Sequence, residues 1–138
     1  MDTQAAPFQI VPARPADREA LAALLVETVA GNGSVGFMHP LAPDRALAFW
    51  DEALAAAARG ERVVLCAWAD GRLLGSGSLV PVQAPSQPHR AELTKVMVAP
   101  AARGAGVGAA LVKALEQAAG RLGRRLLTLD ASLVEGPA

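Results

Sequence analysis

With 138 residues, 52% of them apolar and 19% charged, the chain suits one domain with a buried core rather than a tail or a linker. Its 13 basic and 13 acidic side chains cancel, so no global field recruits nucleic acid or an acidic membrane, and a small-molecule substrate is expected. Cys66, the only cysteine, lies in the apolar run "VVLCAWA" and excludes an intramolecular disulfide; with no signal-like start and no apolar run of membrane-spanning length, the expected location is the cytoplasm.

Phe8 to Ala13 has the pattern of a first strand. Pro15 can open a helix in which Leu21, Leu24, Leu25 and Val29 recur at helical spacing, and Gly31 and Gly33 stop it. The stretch "GNGSVGFMHPL" is a loop, a candidate substrate lip, before a second helix that Pro43 opens and Gly60 ends. Arg62 to Ala69 is a buried strand, Asp70-Gly71 a hairpin signal, and "RLLGSGSLVPVQ" the returning strand, with Gly75 and Gly77 marking a bulge. After the loop "APSQPH", Arg90 to Val98 forms a strand, Gly104 to Arg121 a helix stopped at Gly123, and "RRLLTLDA" a strand parallel to the one before. Trp50 and Trp68 are assigned to core packing. No repeat or second domain interrupts this order, and the fold class is a mixed α/β sheet flanked by helices, β α α β β β α β.

The segment "VMVAPAARGAGVGAAL" carries the chemistry. Gly104, Gly106 and Gly108 remove side chains where a helix begins, so unpaired amides and the positive end of the helix dipole can meet a phosphate or pyrophosphate. Gly104, Gly106 and Ala109 also satisfy the loose dinucleotide pattern, with Asp130 as its ribose-binding acid, but that fold starts with this unit whereas here a strand, two helices and a hairpin precede it. No Gly-Lys-Ser/Thr follows, which excludes a Walker loop. A Gly-rich turn that merely lets helix and sheet pack closely is the structural alternative.

The same segment resembles the acetyl-CoA motif of the GNAT N-acetyltransferase superfamily, with Arg103, Gly106 and Gly108 at the motif positions and Val98 and Pro100 at the strand end and turn. The element order over the whole chain is similar to that superfamily's, and "GSVGFM", "RAEL" and "LLTLD" resemble its tabtoxin-resistance-protein-like branch. The resemblance implies one acyl-CoA-binding domain over residues 1–138 that stops after the fifth strand, short of a further helix and two strands. It implies acetyl-CoA as cofactor and CoA as product, with backbone groups of Met97 and Val98 along the pantetheine arm. The amides of Arg103, Gly104, Ala105, Gly106, Val107, Gly108 and Ala109 would hold the pyrophosphate, and the arginine side chain would support the loop. The implied activity is transfer of an acetyl group to a primary amine, an amino-acid-like toxin or antibiotic being the expected acceptor. A non-catalytic acyl-CoA-binding or interaction module is the alternative.

Acetyl transfer requires a neutral amine, hence a group that takes a proton near neutral pH. Glu92 is the first candidate. Strict alternation would place it on one face with Thr94, Val96 and Val98, where apolar neighbours would raise its pKa, and in histone-acetylating relatives a glutamate at this spacing before the motif is the base. Asp130, at the end of the last strand, is a second acid/base or amine-binding candidate. His89, Phe37 and Met38 are expected to contribute to the substrate pocket. No metal is implied, since His, Cys and acids lack ligand spacing. The superfamily often uses a tyrosine to protonate the leaving thiolate; this chain has none, and a thiolate can leave unaided. An open edge at Leu126 to Asp130 predicts homo-oligomers paired through it.

Overall fold

In the computed structural model the described residues are 8–31, 37, 40–82, 89–124 and 126–129. They form β1 (Gln9–Pro12), α1 (Arg18–Ala30), α2 (Pro43–Ala58), β2 (Val63–Ala69), β3 (Arg72–Pro81), β4 (Arg90–Val98), α3 (Val107–Arg121) and β5 (Leu126–Leu129), with short 3-10 turns at Pro15–Asp17 and Pro100–Ala102. The strands lie in chain order across one sheet, β1 to β4 antiparallel and β5 parallel to β4. This is the expected element order. It differs from the parallel, doubly wound sheet that a dinucleotide loop would need.

Local chemistry accounts for the boundaries. Pro15 opens a 3-10 turn rather than the α-helix itself, because the buried Asp17 carboxylate accepts the Arg14 backbone N–H at 2.8 Å and closes a tight turn before α1 begins. Pro43 stands at the start of α2, where its missing N–H costs nothing. Asp70 and Gly71 both have positive φ, 51° and 74°, as a two-residue type I′ hairpin requires. Arg18 donates to both oxygens of Asp51, at 2.6 and 2.9 Å, and ties α1 to α2.

The sheet separates two apolar layers. On one face Leu21, Leu25, Val29 and Trp50 from α1 and α2 pack with Cys66 and Met97. On the other, Val107, Leu111 and Leu115 from α3 pack with Leu79, Leu93, Val96 and Val98. Trp50 is fully buried, and Trp68 packs partly buried against the first layer. The glycines of β3 allow α3 to lie this close. A Cβ on Gly75 would stand 2.6 Å from the Met97 carbonyl oxygen, and one on Gly77 would stand 2.9 Å from Leu115 Cδ1.

Irregularities occur on both sides of β3, near the glycines that marked them. Against β2 the register shifts between Ala67 and Trp68, which pair with Gly75 and Leu73. Against β4, Ser76 pairs with Met97 and Ser78 with Thr94, so an extra residue lies in β4, where Lys95 adopts φ 56°. This bulge overturns the face assignment expected from strict alternation. Val96 and Val98 join Leu93 on the α3 side, whereas Glu92, opposite Val80, shares the α1/α2 side with Met97. The glycine-headed helix also starts later than expected, at Val107, since Gly104 and Gly106 are left-handed (φ 84° and 83°) and cannot continue it.

Candidate functional site

At the end of β4 the Ala99 N–H donates to the Leu74 carbonyl at 2.7 Å, fixing where the chain leaves the sheet. A 3-10 turn follows, then Gly104, Ala105 and Gly106, and Gly106 caps α3. Within this loop the Arg103 amide makes a long 3.4 Å turn bond to Pro100, and the Ala105 amide a 3.3 Å bond to Ala102. The amides of Gly104, Gly106, Val107, Gly108 and Ala109 have no acceptor among the described residues, and the first closed helical bond is Ala110 N–H to Gly106 O at 3.0 Å. Five donors therefore gather at the positive end of a 15-residue helix.

The glycines here differ from those of β3 in what surrounds them. A Cβ built on Gly104 or Gly106 meets nothing within 4 Å. Close packing of helix on sheet therefore does not explain them; a left-handed backbone beside open space does, and that space is what an anion held by backbone amides needs. The Arg103 side chain is exposed and has no hydrogen bond to the loop, so the loop's shape comes from its backbone, not from the arginine support expected of it.

Among the described residues β5 covers the first part of the strand leading into this loop. β5 pairs with β4 from Arg90 to Leu93, opposite Leu126 to Leu129. From Val96 to Val98, which includes Met97, the edge of β4 on the β5 side has no strand partner among the described residues. An extended ligand arm can pair there as an added strand would. The amide cradle follows directly on this end of β4, an arrangement that can take an extended arm ending in a pyrophosphate.

Glu92 is half-buried and faces the α1/α2 side. Its surroundings are not the apolar enclosure expected of it, because the Arg62 cation lies within electrostatic reach. Burial pulls the Arg62 pKa down and the Glu92 charge works against that pull. The Arg62 guanidinium lies over the Phe49 ring at 5.4 Å. Phe49 meets Phe37 edge-on at 5.4 Å, and the Lys95 ammonium sits 5.7 and 5.5 Å from the Phe37 and Phe49 ring centres. A cleft of about 630 Å³ opens beside this group, lined by Phe49, Glu52, Arg59, Arg62 and Val80 among others.

Of the acceptor-site candidates, the structure therefore brings Phe37 into a cluster with Phe49 and Lys95. His89 is exposed in the turn before β4. Met38 and Asp130 lie outside the described residues. Phe49, Arg62 and Lys95 were not legible as site residues: two belong to ordinary amphipathic segments, and only the bulge turns Lys95 toward the aromatic rings. Cys66 is buried in the first apolar layer, and burial pushes its thiol up to about 12. Among the described residues no group of His, Cys, Asp and Glu could hold a metal, and no helix is long and apolar enough to cross a membrane.

The model of the acetyltransferase (GNAT) family matches residues 25–134. Among solved structures, a GCN5-related N-acetyltransferase from Kribbella flavida is 31% identical, with a TM-score of 0.72 over 88% of this chain and 70% of that one. A ribosomal-protein-alanine N-acetyltransferase from Brucella melitensis is 25% identical (TM-score 0.72; 88% of this chain, 72% of that one). The structure of yncA from Salmonella typhimurium with its cofactor acetyl-CoA is 23% identical and has the same fold (TM-score 0.72; 89% and 69% covered).

Proposed function

The chain belongs to the acetyltransferase (GNAT) family, and on that premise we propose that it moves the acetyl group of acetyl-CoA to the primary amine of a small amino-acid-like molecule, such as a toxin or an antibiotic, and releases CoA. The observation that carries this reading is the set of five unpartnered amides between Gly104 and Ala109, following the end of β4 at Val96 to Val98, which has no strand partner on the β5 side among the described residues. Bound there, acetyl-CoA supplies a thioester already activated for attack by an amine. The amides of Gly104, Gly106, Val107, Gly108 and Ala109 hold the pyrophosphate, with Arg103 and Ala105 in the same loop, while backbone groups of Met97 and Val98 align the pantetheine arm.

Glu92 receives the proton that the acceptor ammonium must lose, from a position on the side of the sheet where the cleft opens. Phe37 and Phe49 wall the acceptor. Met38, His89 and Asp130 remain proposed contributors on sequence grounds, and the stretches "GSVGFM", "RAEL" and "LLTLD" support the tabtoxin-resistance-like acceptor class. Self-association through the β5 edge belongs to the same proposal; a single monomeric mass by light scattering across a wide concentration range would remove it.

Thermal unfolding with acetyl-CoA, CoA and NAD tests the cofactor site. A ligand at about 100 times its dissociation constant adds roughly 2.7 kcal/mol to the folded state. Stabilisation by acetyl-CoA and CoA but not NAD is expected. Equal indifference to all three would overturn the cradle, and CoA binding without acetyl transfer to any amine would favour the non-catalytic module.

A further inference from the structure

Two arginines line the cleft beside Glu92, and only one of them is neutralised. Arg59 pairs with Glu61 at 3.0 Å and with Glu52 at 3.5 Å. Arg62 is half-buried, its Nε is shut away from solvent without a hydrogen-bond partner, and its guanidinium has no ion pair among the described residues. Its guanidinium lies over the face of Phe49. A guanidinium presents five donors in a fixed fork that matches a carboxylate, and holding it partly desolvated with nothing to bind is costly. An anion is the partner such a fork would take.

The position of Arg62 says which anion. It stands at the start of β2, and Val80, which lines the same cleft, is the cross-strand neighbour of Glu92. Arg62 and Glu92 feel each other's charge without forming an ion pair. A positive group lining the cleft and a negative one beside its lining residue Val80 complement a zwitterion, whose carboxylate would meet the fork and whose ammonium would meet Glu92. The acids that line the cleft, Glu52 and Glu61, are both engaged by Arg59.

We infer that Arg62 is the specificity-determining residue for the acceptor, anchoring its carboxylate in the cleft beside Phe49, so that the acceptor is an amino acid or a close analogue rather than a simple amine. This inference rests on the acetyl-transfer reading above and deepens it. It also orients the acceptor: with the carboxylate at Arg62 the amine is the end left for Glu92.

Matched pairs of probes test it: leucine with isoamylamine, phenylalanine with phenethylamine, and lysine with cadaverine. Each is titrated calorimetrically into the full chain in the presence of CoA, and each is then assayed with acetyl-CoA. At least one amino acid is expected to bind ten-fold or more tightly than its decarboxylated partner, and Arg62→Gln is expected to shrink that ratio at least ten-fold, with Arg62→Lys between the two. Arg62→Lys keeps the charge and so serves if the glutamine variant fails to fold. Equal binding within every pair, a ratio untouched by the substitutions, or no binding by any probe would overturn the inference. Acetylation of both members of each pair, indifferent to Arg62, would leave the acetyltransferase standing and remove the anchor. Arg62-dependent binding of an amino acid with no acetyl transfer would do the reverse.

Discussion

Glu92 and Met97 lie on the same face of β4, although strict alternation would set them on opposite faces, because Lys95 bulges out of the ladder between them. Glu92 thereby lies on the α1/α2 side, beside Val80, which lines the cleft, while Val96 and Val98 turn to the α3 layer. Glu92→Gln removes the proposed proton acceptor and keeps the shape. Turnover is expected to fall by about 10²-fold or more, with the melting shift caused by acetyl-CoA unchanged. A variant with undiminished turnover would show that another group takes the proton.

The loop glycines and the strand glycines are expected to fail differently when replaced. Gly104→Ala and Gly106→Ala introduce a side chain into open space but at positive φ, which costs about 1–2 kcal/mol of strain. Both should fold and bind acetyl-CoA more weakly, as a raised KM and a smaller melting shift.

Gly75→Ala places a Cβ against the Met97 carbonyl and the Val107 side chain, so backbone must move. A loss of about 3 kcal/mol is expected in chemical denaturation, at the upper end of overpacking costs. A mild effect there would mean that α3 can shift away from β3 more easily than its packing implies.

Burial holds the Cys66 thiol at about 12, against an ordinary value of 9.0. The folded protein should therefore resist thiolate-selective alkylation near neutral pH and react only on unfolding. The raised pKa also has a sign for stability. The contribution is fully present below about pH 9, where the thiol is protonated in both states, and is lost as the pH rises from 9 toward 12 and the unfolded thiol ionises first. Cys66→Ser or Cys66→Ala should flatten that alkaline limb; an unchanged limb would assign it to other groups.

Arg62→Met tests the charge balance from the folding side. Removing a half-buried cation that lacks an ion pair, while keeping a long apolar stem over Phe49, is expected to preserve or raise the melting temperature. A clear drop would mean that the guanidinium holds the fold together.

Element order, the Asp70-Gly71 hairpin and the glycine-headed loop were readable from residue types, because each depends on contacts a few residues apart: apolar periodicity, a turn that needs positive φ, a helix that must begin somewhere. The loop's identity as a backbone donor cradle was readable for the same reason. Its boundary was not, since Gly104 and Gly106 take a left-handed conformation that ends the loop and delays the helix.

The acceptor side depended on pairing between distant segments. Only the register of β4 against β3 creates the bulge that reverses Val96 and Val98 and carries Lys95 toward Phe37 and Phe49. Only the folding of α2 over the start of β2 leaves Arg62 on an aromatic face beside Glu92 with no acid of its own. The sequence by itself determined the sheet-and-helix order and the glycine loop with its unpartnered backbone donors, whose physics is local. Tertiary structure decided which way Glu92 faces and which cation stands beside it, because one extra residue in a ladder changes every side chain's face beyond it.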